Sequence, residues 1–278
     1  MARILAISSQ VVRGHVGLSA IVPALQRLGH ETWALPTIVL SNHPGHPRAA
    51  GMRIAPAIQR QMLDALERNG WIGEIDGVMT GYLPSPEHVR LAAGIVRRLK
   101  EEREIAFLCD PVLGDDPKGL YVDVEAAVAV RDELIGLADI ITPNRFELGW
   151  LGGGYPRSAT DVQRAAEALA VRTVIVTSAA HRDGRISTLM VKPEGSLVCE
   201  TTWHSDVPHG TGDLFAALVL GHLLKGESDT KTLGRAVAGV AAAIRASDGH
   251  SELKLIESQA SWVDATPLPV HRMPRRGS

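Results

Sequence analysis

Residues 3–28 read RILAISSQVVRGHVGLSAIVPALQRL. The first six, RILAIS, form a short apolar run closed by the polar pair Ser8–Ser9. After a glycine-containing stretch, Leu18, Ile21, Val22, Leu25 and Leu28 recur at helical spacing on one face. A buried strand followed by an amphipathic helix is the repeating unit of a parallel sheet. The unit recurs along the chain. Strands are expected at 32–40 (TWALPTIVL), 76–80 (DGVMT), 105–109 (IAFLC), 138–142 (ADIIT) and 173–177 (TVIVT). Helices are expected at 87–100, 124–137, 160–170, 213–225 and about 230–247. Residues 186–191 (ISTLMV) and 196–203 (SLVCETTW) alternate around the turn KPEG, which reads as an antiparallel hairpin. The expected fold is therefore α/β, in three layers. A mainly parallel central sheet carries helices on both faces and one small antiparallel hairpin.

Nothing in the 278 residues marks a domain boundary or an internal repeat, so one domain is expected over 1–260. Residues 261–278 are expected to form a partly basic tail, and HRMPRRGS at its end a solvated terminus. A net charge of −2 offers no electrostatic footprint for nucleic acid. No apolar run is long enough to suggest a membrane partner. Cys109 and Cys199 lie far apart without metal-ligand spacing and read as reduced structural thiols. With no signal-peptide pattern at the start, a cytoplasmic location is expected.

In an open parallel sheet, ligands gather beyond the carboxyl ends of the strands. Six expected strand ends carry polar residues there: Ser8–Ser9, Ser41–Asn42–His43, Gly81–Tyr82, Asp110–Pro111, Thr142–Pro143–Asn144 and Thr177–Ser178. The run Pro208–His209–Gly210–Thr211–Gly212–Asp213 precedes the apolar helix LFAALVLGHLL. Free N–H groups at a helix start bind anions, and glycines let a phosphate approach the backbone closely. Gly210, Thr211 and Gly212 thus read as an anion hole. A carboxylate in the same turn would repel a resting phosphate, yet it suits a base acting on an attacking hydroxyl. Asp213 is assigned that role, ahead of a merely dipole-stabilising acid, and the chemistry is phosphoryl transfer to an alcohol. Asp110, Asn144 and Glu147 offer hard oxygens for Mg²⁺ held partly through water. Asn144 and Glu147 equally fit a capping box, and both readings stand at this point. His43 lies in a Pro/Gly/His loop at 41–51 over the expected site, and Tyr82 could stack on a ring or pack in the core. His15 is a weaker candidate. Neither G-x-x-x-x-G-K-[ST] nor a G-x-G-x-x-G after the first strand is present.

The stretches ISSQVVRGHVG (7–17), SNHPG (41–45), TGYL (80–83), CDPVLGD (109–115), ADIITPNRFE (138–147), VTS (176–178) and GTGDLFAA (210–217) occur in this order. Together they resemble the pyridoxal kinases of the ribokinase-like superfamily, from Arg3 to about residue 250. The resemblance implies a ribokinase-like fold and transfer of the ATP γ-phosphate to the 5′-hydroxymethyl of pyridoxal, with pyridoxine and pyridoxamine as further acceptors. It implies that Ser9, His43, Gly45 and Tyr82 line the acceptor pocket, with Asp213 as base. Asp110, Asn144 and Glu147 would organise Mg²⁺ and phosphates, with Thr142, Thr177 and Ser178 near ATP. Residues 115–122, including Asp115 and Tyr121, would be a flap over the ATP phosphates. A homodimer and a monovalent cation such as K⁺ are further implications. Two positions depart from the pattern: Pro44 stands where many relatives carry threonine, and Thr177 where some bacterial relatives carry lysine. Alternative readings are a hydroxymethylpyrimidine or sugar kinase of the same superfamily, or a non-catalytic protein that binds the vitamers.

Overall fold

The computed structural model describes residues 1–273. Six strands run parallel. They are β1 (Arg3–Val11), β2 (Glu31–Leu40), β4 (Gly77–Thr80), β5 (Ala106–Cys109), β8 (Ile140–Ile141) and β9 (Thr173–Arg182). Their spatial order is β9-β8-β5-β4-β1-β2. On the β2 edge, β3 (Gly51–Arg53) adds antiparallel. On the β9 edge come the hairpin β10 (Arg185–Lys192) and β11 (Gly195–Thr202), then β12 (Val270–Arg272). The expected parallel sheet with a small antiparallel hairpin is the fold that forms.

The period of two along β1 explains both layers. Leu5 and Ile7 face one core, with Val78, Phe107, Ile141 and Val176. Five helices cover it: α2 (Pro56–Arg68), α3 (Pro86–Glu102), α4 (Val124–Ala129), α5 (Arg145–Gly152) and α6 (Ala159–Ala168). Ile4 and Ala6 face the other core, with Met79, Leu108, Ile140 and Ile175. There α1 (Leu18–Arg27), α7 (Thr211–Leu224), α8 (Asp229–Ala246) and α9 (Gln259–Val263) pack. Every residue of α7 from Leu214 to His222 is buried, which is why its sequence is apolar all round rather than striped.

Several boundaries differ from the sequence expectation. The strand expected to end at Thr177 continues to Arg182, kinking at Ser178, whose φ is +51°. The expected helix 124–137 is α only to Ala129, and wider and tighter turns finish it. Helix α2 was not anticipated, although it is as amphipathic as α3; only Gln59 and Leu63 on it are buried, and Ile58 and Met62 stay exposed. The expected solvated end begins inside the sheet: Val270–Arg272, with His271 and Arg272 still exposed, form a strand. These residues pair with Leu197–Cys199, and Met273 N donates to Ser196 O. The outer edge of β11 offers unpaired backbone groups that a nearby extended segment satisfies. Residues 274–278, the rest of that expected end, lie outside the described residues. Among the described residues, no helix is long and apolar enough to cross a membrane.

Candidate active site

The chain leaves β1 through α1 to β2 on one side, and returns from β2 through α2 to β4 on the other. Connections thus diverge on either side of β1, and a crevice opens between the carboxyl ends of β1 and β4. The strand expected to close at Ser8–Ser9 runs on to Val11. Ser8, fully buried within β1 at the register shift before Gln10, accepts the Tyr82 N–H on Oγ at 3.1 Å. Gly81 leaves that crevice open. A Cβ there would come 2.5 Å from Ser8 Oγ and 3.8 Å from Asp213 Oδ1. Asp213 therefore lies at the floor of the crevice, brought in on the first turn of α7. Burial pushes its carboxyl up to about 6, while the Gly17 N–H and its own N–H pull the other way.

The turn before α7 is held by close backbone packing. Gly210 has φ +99°, and a Cβ there would lie 1.8 Å from His15 O. Gly17 is equally confined, against Ser9 O and Oγ at 2.2 and 2.3 Å. Ser9 is thus pressed between the crevice and this turn. His15 is a strut, its Nδ1 2.8 Å from Leu253 O. No N-cap side chain bonds into α7, and of its first N–H groups the one at Asp213 meets that residue's own carboxylate.

A second cluster builds on β5 and α5. Asp110 is buried, and one oxygen accepts the Thr142 hydroxyl at 2.9 Å. Burial raises its pKa well above the carboxylate range, with Glu147 and Asp213 adding repulsion and Thr142 opposing. Glu147 is raised to about 7, chiefly by burial, against backbone N–H groups that favour the anion. Its Oε2 accepts from Asn144 N at 2.9 Å, and its Oε1 from Leu113 N at 2.7 Å and Gly114 N at 3.4 Å. Asn144 Oδ1 in turn accepts from Glu147 N at 2.9 Å, completing the capping box. Asn144 Nδ2 donates to Gly114 O at 2.7 Å. The capping-box reading of Asn144 is thus realised, and its Oδ1 keeps one lone pair beyond the cap. The pair Asn144–Glu147 clamps the start of the β6 (Gly114–Asp115) and β7 (Gly119–Leu120) hairpin.

That hairpin carries the other expected ATP-side residues. Asp115 has a buried oxygen, Oδ1, without a hydrogen-bond partner. Tyr121 is exposed, its phenol pushed up by burial of its polar end and by Asp115. Asp116 anchors the tip to Arg145 at 3.6 Å and to the Tyr155 hydroxyl. Thr177 N donates to Pro143 O at 3.0 Å, so Thr142, Asn144 and Thr177 meet at one edge, with Ser178 exposed beside them.

On the opposite wall, His43 stacks on His209 with ring centroids 3.7 Å apart. Gly45 N donates to His43 Nδ1 at 3.0 Å. Tyr82 is half-buried against the first core and is raised by that burial. Glu252 pins the loop from outside, accepting from Arg13 and meeting His46, each at 2.8 Å. Sequence reasoning missed His209, His46, Arg13 and Glu252. His209 stands within the quoted run, but nothing in the spacing ties it to residue 43, and Glu252 comes from the far end of the chain.

Among the described residues no three His, Cys, Asp or Glu side chains meet closely enough to hold an ion by themselves. The donors nevertheless suit Mg²⁺. Asp110 faces only like charges, Asp115 has an orphaned oxygen, and Mg²⁺ is held by one or two carboxylates plus phosphate oxygens and water.

Those carboxyls make the stability depend on pH and cation. Each binds its proton more tightly folded than unfolded, so its stabilising share is full at low pH and lost as pH rises through about 6 to 7. The buried His43, His30 and His88 act in the opposite sense, so a single variant is the cleaner probe. Asp110→Asn should melt like the parent at pH 5 and several degrees higher at pH 8 without divalent cation. At ~2–4 °C per kcal/mol the gap is readily measured. Millimolar Mg²⁺ should raise the parent's melting temperature and leave the variant's unmoved.

The sequence profile of the phosphomethylpyrimidine kinase family matches residues 37–255. The pyridoxal kinase PdxY of Deinococcus radiodurans is 35% identical, over 93% of this chain and 92% of that one. The PdxY protein of Rubrobacter xylanophilus is 36% identical, over 97% of each. The chain belongs to the pyridoxal kinase family. Solved structures of pyridoxal kinases agree. That of Entamoeba histolytica has a TM-score of 0.93 at 26% identity, covering 98% of this chain and all of that one. The Leishmania donovani pyridoxal kinase, in complex with ADP and pyridoxamine, has a TM-score of 0.92 at 26% identity, covering 99% and 100%. As a pyridoxal kinase of the ribokinase-like fold, the chain is an ATP-dependent phosphotransferase, and the crevice at Asp213 is where its fold opens.

Proposed function

We propose that this chain transfers the γ-phosphoryl group of ATP to the 5′-hydroxymethyl of pyridoxal, and also of pyridoxine and pyridoxamine, to give the 5′-phosphates. The observation that carries this reading is Asp213. A carboxyl held near 6 lies in the crevice between β1 and β4, one residue past an uncapped, glycine-bounded helix start. At neutral pH it is mostly ionised, yet basic enough to take a proton from a hydroxyl as that hydroxyl attacks.

The acceptor's hydroxymethyl lies within hydrogen-bond reach of Asp213, with Ser9, His43 and Tyr82 around its ring and Gly45 behind His43. His43 is lowered to about 4 by burial and by positive neighbours, so it is neutral at work. Because its Nδ1 accepts from Gly45, its proton sits on Nε2, which makes it a donor to an oxygen on the acceptor ring. Pro44 adds no donor of its own. The amides of Gly210, Thr211, Gly212 and Asp213, at the positive end of α7, stabilise charge growing on the transferred group. Asp110 would hold Mg²⁺ partly through water, with Glu147 ordering the strand ends around it and Asn144 clamping the hairpin. Bound with ATP, that ion neutralises phosphate charge and helps align the leaving group. Thr142, Thr177 and Ser178 bind ATP along the β8–β9 edge, with Asp115 and Tyr121 covering its phosphates. We assign the working protein to the cytoplasm as a homodimer, with K⁺ as a candidate activator.

One observation favours a second acceptor, because the matching family profile is that of phosphomethylpyrimidine kinases. Steady-state assays with the three B6 vitamers, hydroxymethylpyrimidine and ribose decide between them. Pyridoxal is expected to give the highest kcat/KM. A higher value for the pyrimidine would overturn the assignment, and binding of pyridoxal without ATP turnover would make the protein a binder only.

A further inference from the structure

The loop after β2 and the segment before α7 meet through two imidazoles. His43 and His209 stack at 3.7 Å with an interplanar angle of 24°. Gly45 permits this approach, since a Cβ there would come 2.9 Å from His43 Nδ1 and 3.0 Å from His209 Nε2. Both rings are kept neutral, first by burial. Lys118 and His46 reinforce this, while Glu252 opposes it at both rings and Asp115 at His209. Two neutral imidazoles stack without charge repulsion. His209 adjoins Gly210, whose backbone is itself locked against His15 O. A rigid connection thus runs from the anion hole through His209 to the ring of His43.

We propose that His209 is a positioning residue for the acceptor: stacked on His43, it fixes the direction of the His43 Nε2–H relative to Gly210–Asp213. It acts through His43 and touches neither acceptor nor ATP. The group it aims at is an oxygen substituent on a planar heteroaromatic ring. The proposal rests on the reading of this site as a pyridoxal kinase and adds a residue to it that lies outside the acceptor pocket. Its requirement is a flat ring at position 209 rather than a titrating one.

The test compares the parent with His209→Ala, His209→Phe, His43→Ala and the double variant His43→Ala/His209→Ala. An aromatic pair of this kind is worth about three- to tenfold in an equilibrium. His209→Ala should therefore raise KM for pyridoxal about three- to tenfold while KM for ATP stays within about twofold. His209→Phe should restore most of the loss, because the stack survives. In the His43→Ala background, His209→Ala should add nothing, since the two residues act as one unit. Additive losses, a matching rise in KM for ATP, or a phenylalanine variant as impaired as the alanine one would overturn the proposal. Gly45→Ala disturbs the stack from the other side and should show the same selective KM rise if His209→Ala is too unstable to assay. A parent that fails to phosphorylate pyridoxal would sink the functional reading instead. The stack would then be tested by NMR relaxation of the His43 ring alone, with the ring expected to lose its order in His209→Ala and keep it in His209→Phe. An equally ordered ring in His209→Ala would overturn the proposal without any turnover.

Discussion

Asp213→Asn is expected to lower kcat for pyridoxal phosphorylation by about a thousandfold, the middle-to-upper range for loss of a general base. KM for ATP should stay within about twofold. Asparagine keeps the shape of the side chain and its place beside Gly81 but cannot accept the hydroxyl proton. The parent's kcat/KM for pyridoxal should fall on the acid side with a midpoint near pH 6. A raised carboxyl is protonated below that value and useless as a base. The same substitution should leave the fold intact and raise the melting temperature slightly at pH 8, because it removes a buried charge. Single-turnover measurements from pH 5 to 8 test both statements. More than a tenth of the parent rate in Asp213→Asn would remove Asp213 from the role of base.

Gly210→Ala carries the second large effect, and it acts through the backbone. With φ at +99° and a Cβ position 1.8 Å from His15 O, neither the residue nor its neighbour can yield cheaply. The turn must reopen, and the amides that face the transferred phosphoryl group turn with it. Loss of such a donor lowers kcat by about 10²–10³-fold, and that is the expected fall in kcat here. A strain of about 1–3 kcal/mol should also lower the melting temperature by several degrees. Gly212→Ala is the informative contrast. A Cβ there meets nothing, so the fold should hold or even gain, since alanine is the better helix residue. Any activity lost in Gly212→Ala then reports close approach of a phosphate rather than damage to the turn. Equal melting temperatures for the two variants would show that the Gly210 turn is not the constraint described.

The alternation of buried apolar runs with amphipathic helices was readable because each element repeats its own period in the linear chain. Arg3–Ser8 and Leu18–Leu28 already announce a parallel sheet with covered faces. Four of the six polar strand ends were readable for the same reason, since a parallel sheet gathers its carboxyl ends at one edge; Ser8–Ser9 and Thr177–Ser178 lie inside β1 and β9 instead. Helix α2 was missed although its apolar stripe is as marked as that of α3, and its peripheral place leaves Ile58 and Met62 of that stripe exposed. The continuation of β9 beyond Thr177 escaped because a kink at Ser178 leaves no compositional mark.

Roles within the site divide along the same line. Gly210–Asp213 could be read as an anion hole with an acid because every part lies within one turn of chain, and local spacing dictates local geometry. Asn144 and Glu147 carried two meanings, and only the fold showed that the capping box forms. Their oxygens are used by the cap and by the amides at Leu113 and Gly114, which reach them from another strand end. The stacking of His209 on His43, and the pinning of that loop by Glu252, were likewise beyond the reach of spacing. The sequence by itself determined the layered sheet, the sheet edge that carries most of the polar residues and the acid at the start of α7, because these follow from periodicity and short-range backbone geometry. Which carboxylates are buried together, and which ring orients which, only the tertiary structure decided. Those depend on distances between residues far apart in the chain, set by how the two cores pack.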